Sequence, residues 1–161
     1  AALAGLIRPQ VADVNMVSAP IMAKERGMIV SEVKRDKSGI FDGYIRLSVK
    51  TPSRTRTIAG TCFSDGKPRF IQIKGINIDA EVGAHMLYTT NKDVPGIIGT
   101  LGQTLGDMDV NIANFTLGRN EVGGEAIALL YVDAEVPADA RAKLAETGYF
   151  TQIKPLAFDV A

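Results

Sequence analysis

Tryptophan is absent from this sequence, and cysteine and histidine occur once each. A single Cys62 permits no internal disulfide and fits a reducing, cytoplasmic setting. His85, the one histidine, falls at the start of a strand-like run without the base a catalytic dyad needs, and reads as structural. Aromatic residues make up 6% and net charge is zero, so neither a stacking platform nor a uniformly basic surface speaks for nucleic acid. No apolar run reaches the ~18 residues of a membrane-spanning helix. The opening Ala-Ala-Leu-Ala-Gly-Leu-Ile has no basic flank, which predicts no secretory signal. No G-x-G-x-x-G lies between a strand and a helix, and Walker and C-x-x-C patterns are missing. These absences predict a chain with no catalytic residues, no metal and no cofactor of its own.

What is there is a globular composition, 46% hydrophobic and 22% charged. The charge is unevenly spread. Residues 1–80 hold 13 Lys+Arg against 7 Asp+Glu, and residues 81–161 hold 5 against 11. A basic half beside an acidic half fits different ligands or mutual attraction, and equally fits chance plus solubility. A start without Met, on half a helix, is expected of a piece of a longer chain.

Periodicity predicts two modules, 1–83 and 84–161. In the first, residues 1–7 read as a helix end and about 15–26 as a helix stopped by Gly27, with Pro20 tolerable near the first turn. Residues 28–34 look β-like. Ile45, Leu47 and Val49 alternate with Arg46, Ser48 and Lys50, a strand with two distinct faces. A second strand, 54–63, turns at Ser64-Asp65-Gly66-Lys67 and returns over 69–74. Residues 75–83 then read as a crossing. The second module reads β-α-β-β-α-β: strand 85–90, helix 95–108, strands 111–119 and 125–132, helix 137–146, strand 149–154. The predicted class is α+β: a small α/β module with antiparallel strands, then a ferredoxin-like βαββαβ domain.

The most informative stretch is 91–115. Asn91 and Asp93 precede a helix opened by Pro95-Gly96, whose expected apolar stripe is Ile98, Leu101, Leu105 and Met108. Gly99, Gly102 and Gly106 lie off that stripe, where another backbone could approach or where packing is simply tight. Asn111 and Ile112 begin the next strand. Amide and carboxylate groups beside a helix N-terminus suit a small zwitterion, its carboxylate at the N–H groups near Gly96 and its ammonium at Asp93. The same residues can serve as caps and turns. Asn91, Asp93 and Asn111 are expected to meet at one end of the sheet.

The pattern N-x-D-x-P-G, a helix, then V-N-I is similar to an ACT domain, the amino-acid-sensing module of metabolic enzymes. Upstream, Val-Asn-Met-Val-Ser-Ala-Pro-Ile-Met-Ala-Lys-Glu-Arg-Gly (14–27) resembles the V-N-x-V-N-A-P-x-x-A-x-E-R-G segment of long-form D-3-phosphoglycerate dehydrogenases, with Ser18 in place of the second Asn. There it belongs to an allosteric-substrate-binding domain just before the ACT domain. The resemblance implies the regulatory end of an enzyme of serine biosynthesis, whose NAD and catalytic residues sit in a part outside this sequence. It implies L-serine or another small amino acid as effector, held between two ACT domains by the positions matching Asn91, Asp93 and Asn111. Other members often carry His or Tyr where Asn91 stands.

The resemblance also raises an anion site for phosphate or a 3-phosphoglycerate-like group among Lys50, Arg54, Arg56, Arg69 and Lys74, where surface solvation is the plainer fate of each. Ile112, Phe115, Leu117, Ile127 and Leu129 offer more apolar surface than one small sheet face needs, which predicts a homo-oligomer through the second module. A similar module pair occurs in iron–sulfur L-serine dehydratases. A dinucleotide glycine motif in the N-terminal part would mark a dehydrogenase, and cluster cysteines a dehydratase.

Overall fold

A computed structural model describes residues 1–34 and 43–159. The chain folds as two compact units, Ala1–Ile40 and Phe41–Ala161. In the first, α1 (Ala2–Ile7) and α2 (Ala19–Glu25) bury Ala4, Ile7, Val14, Ala19 and Ala23 in a small core of their own. Asn15 sets the start of α2. Its Oδ1 accepts from the backbone N–H groups of Val17 and Ser18 at 2.9 Å each, and its own N–H donates to Ser18 Oγ at 3.0 Å. The helix proper therefore begins at Ala19, four residues later than Asn15, with Pro20 in its first turn. The β-like run 28–34 is not a strand: Ile29 is fully exposed and no ladder forms there. Apolar content without a partner strand does not make a sheet.

The second unit contains two four-stranded antiparallel sheets. The first has the order β1 (Ile45–Lys50), β2 (Thr55–Cys62), β3 (Pro68–Ile73), β4 (Ile76–Glu81). Strand β4 lies in the segment expected to be a plain crossing. The hairpin comes from Lys74 and Gly75, both with positive φ (53° and 84°), the twist a two-residue turn needs. A lysine in the first of these positions hid the turn from the sequence.

The second sheet has the order β6-β7-β5-β8, from β5 (His85–Lys92), β6 (Ile112–Arg119), β7 (Glu125–Val132) and β8 (Phe150–Ala157). One face carries α3 (Ile97–Gly106) and α4 (Ala138–Glu146), making the expected βαββαβ order. Gly96 supplies a left-handed residue (φ 97°) at the start of α3. The buried stripe is Ile97, Leu101 and Leu105, packed on Leu87, Ala128, Leu130 and Val132; Ile98, expected on that stripe, is 57% exposed.

The other face of this sheet is covered by the β3–β4 hairpin of the first. Ile76 and Ala80 of β4 pack with Met86, Tyr88, Ile127 and Leu129. Ile127 and Leu129 are thus buried within one chain and are not surplus surface, which corrects the sequence-based case for oligomerisation. Each contributes roughly 1.5–3 kcal/mol by leaving water. Gly118 on β6 makes the approach close. A Cβ there would meet Ile78 Cγ2 at 2.6 Å and Asn77 O at 2.8 Å. The β1–β4 sheet, assigned from sequence to the module 1–83, therefore shares its compact unit with the β5–β8 sheet.

Candidate effector-binding site

Asp93 follows β5 and faces an arginine that sequence reasoning passed over. Arg119, the last residue of β6, places Nη1 2.6 Å from Asp93 Oδ2. The same oxygen accepts from Gly123 N–H at 3.2 Å, and Asp93 N–H donates to Gly124 O at 2.9 Å. The Arg119 guanidinium, then the Gly123 N–H, hold the Asp93 carboxyl below its ordinary range. Register explains the meeting. Arg119 pairs with Ala126, which pairs on its other side with Asn91. The small Ala126 lets the arginine side chain pass over β7 toward the β5 end. Sequence shows Arg119 only as a strand-ending cation; its partner depends on a three-strand register.

Asn91 is 2% exposed. Its Nδ2 donates to Lys92 O at 2.6 Å, and its Oδ1 has no partner among the described residues. A buried acceptor left alone costs stability, so the site calls for a donor. Gly96 lies a few residues on, where the first-turn N–H groups of α3 lack intrahelical partners.

Asn111 and Ile112 are elsewhere. Ile112 pairs with Val132 at one end of β7, whereas Asn91 and Lys92 pair with Ala126 and Glu125 at the other. About seven residues of strand, roughly 23 Å, separate the two groups. The expectation that Asn91, Asp93 and Asn111 meet within one domain is therefore overturned. β5 and β6 run parallel on either side of β7, so a residue before β6 and a residue after β5 fall at opposite ends. Asn111 Nδ2 instead donates to Asp133 Oδ2 at 2.7 Å. With Gly102, Gly106, Asp109, Val110 and Ile112 it lines an open depression of about 450 Å³. Among the described residues, nothing outside the helix's own backbone and the chain neighbours lies within 4 Å of a Cβ built at Gly99, Gly102 or Gly106, so this glycine face of α3 is open there.

The basic residues divide likewise. Arg56 pairs with Val49, Lys50 with Thr55, and Lys74 N–H donates to Thr57 O at 2.8 Å. Lys50, Arg54, Arg56 and Lys74 thus share one end of the first sheet, and Lys74 Nζ is already 2.8 Å from Glu125 Oε1. Arg69 pairs with Thr61 at the opposite end. It lies 3.3–3.7 Å from carboxylate oxygens of Asp65, Asp79 and Glu81 and stacks over the Phe63 ring. Arg69 does not join the cluster it was expected to complete. Among the described residues no three His, Cys, Asp or Glu side chains gather as a metal site, and no helix is long and apolar enough to cross a membrane.

Comparison with known proteins agrees with this architecture. Residues 1–74 match the family described as the D-3-phosphoglycerate dehydrogenase intervening domain, and residues 85–148 match the ACT domain. Among curated relatives, D-3-phosphoglycerate dehydrogenase of Bacillus subtilis is 39% identical over 83% of this chain and 26% of its own length. The Synechocystis enzyme is 36% identical over 85% and 25%, and that of Methanocaldococcus jannaschii 32% over 89% and 27%. The chain thus spans about a quarter of the length of these relatives. Two domain matches in this order, and relatives bearing one name across most of the chain, make it a D-3-phosphoglycerate dehydrogenase intervening domain followed by an ACT domain.

Proposed function

We propose that this chain is the regulatory part of a D-3-phosphoglycerate dehydrogenase, an enzyme acting in the cytoplasm at the first step from 3-phosphoglycerate to L-serine, and that it senses L-serine between two copies of the ACT domain. The NAD-dependent chemistry belongs to the part outside this sequence. The match of residues 1–74 to the dehydrogenase intervening domain favours this reading over a serine dehydratase.

One observation carries the two-copy reading. Asp93 with Gly96, and Asn111 with Ile112, lie at opposite ends of the edge strand β6. The outer backbone groups of an edge strand invite a partner. If two β6 strands pair antiparallel about a twofold axis, residue 112 of one faces residue 119 of the other. Asn111 then stands beside the partner's Asp93, and the site forms twice. The open glycine face of α3 gives the second copy room. L-serine would place its carboxylate toward the N–H groups after Gly96, its ammonium on Asp93 and its hydroxyl on an Asn amide.

Regulation follows from differential binding. An effector bridging two ACT domains favours the paired arrangement and restrains whatever is attached to it. A coupling of about 1–3 kcal/mol suffices. Lys50, Arg54, Arg56 and Lys74 form a second candidate site, for phosphate or a phosphorylated substrate, with Lys74 shared with Glu125.

Sedimentation and calorimetric titration with L-serine test the reading. The chain should be at least dimeric at ~100 µM and should bind L-serine in the millimolar range or tighter. A monomer that takes up no L-serine would refute it.

A further inference from the structure

The Arg119–Asp93 pair leaves half of each partner unused. Asp93 spends Oδ2 on Arg119 and on Gly123 N–H, and its Oδ1 has no hydrogen-bond partner among the described residues. Arg119 spends Nη1, and among the described residues Nη2 and Nε have none; its side chain is 49% exposed. A free carboxylate oxygen and a free guanidinium edge therefore stand side by side, held at 2.6 Å by their own contact. That is the charge complement of an α-amino acid, whose ammonium and carboxylate sit on one carbon. A guanidinium edge fits a carboxylate with two parallel hydrogen bonds, which a lysine ammonium cannot reproduce. The unpartnered buried Oδ1 of Asn91 lies in the same three-strand row, an acceptor waiting for a donor.

We propose that Arg119 is the carboxylate-recognising residue of the effector site, acting with Asp93 as a paired receptor for an α-amino acid zwitterion. This rests on the two-copy reading above. The carboxylate bridges Arg119 and the N–H groups of the α3 N-terminus, while the ammonium takes Asp93 Oδ1. The alternative role for the pair is to pin the 120–124 turn and nothing more.

The test compares L-serine with serinol, in which a hydroxymethyl group replaces the carboxylate, by ligand-observed NMR on the native chain, Arg119→Gln and Arg119→Lys. The native chain should prefer L-serine to serinol by about tenfold or more. Arg119→Gln should lose about that factor for L-serine and change serinol less than twofold, so that the preference collapses. Arg119→Lys should recover part of it. Equal binding of the two ligands by the native chain, unchanged L-serine binding in Arg119→Gln, or an equal loss of both ligands would overturn the assignment and leave Arg119 a turn-pinning residue. A native chain that binds neither ligand would instead sink the amino-acid reading of the site, and this inference with it.

Discussion

Gly118 of β6 lies so close beneath Asn77 of β4 that a Cβ would stand 2.8 Å from the Asn77 carbonyl oxygen. The β3–β4 hairpin is thus seated on the β5–β8 sheet at a backbone-to-backbone contact. Beside it, Thr116 Oγ1 donates to Asp79 O at 3.2 Å.

Gly118→Ala should therefore cost about 1–3 kcal/mol, because the clash is with backbone and with two isoleucine branches that cannot both swing away. Glu125→Gln, which breaks the ion pair to Lys74, should cost under ~1 kcal/mol, since Glu125 is half exposed. Urea unfolding of the two variants checks the order. A larger loss in Glu125→Gln would mean that charge, not packing, holds the hairpin down.

Tyr88 reports on the same junction. Burial, and then the Glu125 carboxylate, push its phenol up to about 12, with Arg56 opposing. A raised folded value means that the neutral phenol stabilises the fold below the unfolded value of about 10, and that this stability is lost as pH rises from there toward 12. Ultraviolet titration of tyrosinate should show one of the four tyrosines lagging the others, with stability falling in that window. Replacing Tyr88 by Phe should remove both effects.

Asp93 titrates in the opposite sense. Its folded value is lowered, first by Arg119 and then by Gly123 N–H. Its contribution is present above the unfolded value of about 3.9 and fades as pH falls through the lower folded one. Carboxyl NMR should find Asp93 ionised where ordinary aspartates have begun to protonate, and Arg119→Gln should move it back up. An Asp93 that titrates alike in both proteins would mean the ion pair does not persist in solution.

Much of this was legible in the sequence. The βαββαβ order, the Pro95-Gly96 helix start and the helix stopped at Gly27 follow from periodicity and local chemistry, which are properties of neighbours along the chain; the start of that last helix reads from sequence as Asn15, four residues before the helix proper begins. What was not legible depends on partners far apart. Strand β4 hides behind a lysine at positive φ, and Ile127 and Leu129 look like spare surface until the hairpin covers them. The separation of Asn111 from Asp93 follows from strand order, which no local pattern carries. Arg69 resembles an anion ligand until three carboxylates are brought to it.

The central claim is that one effector site draws Asp93 from one copy and Asn111 from another, and mixing two variants tests it most directly. Asn111→Ala alone should weaken L-serine binding by roughly 1–3 kcal/mol, about tenfold or more, and Asp93→Ala at least as much. In a heterodimer of the two, one site carries both substitutions and the other carries neither. Calorimetry on the re-equilibrated mixture should therefore recover native-affinity L-serine sites in the heterodimeric fraction, one per heterodimer. If the mixture binds no better than either variant alone, the site does not span two copies and the account is wrong.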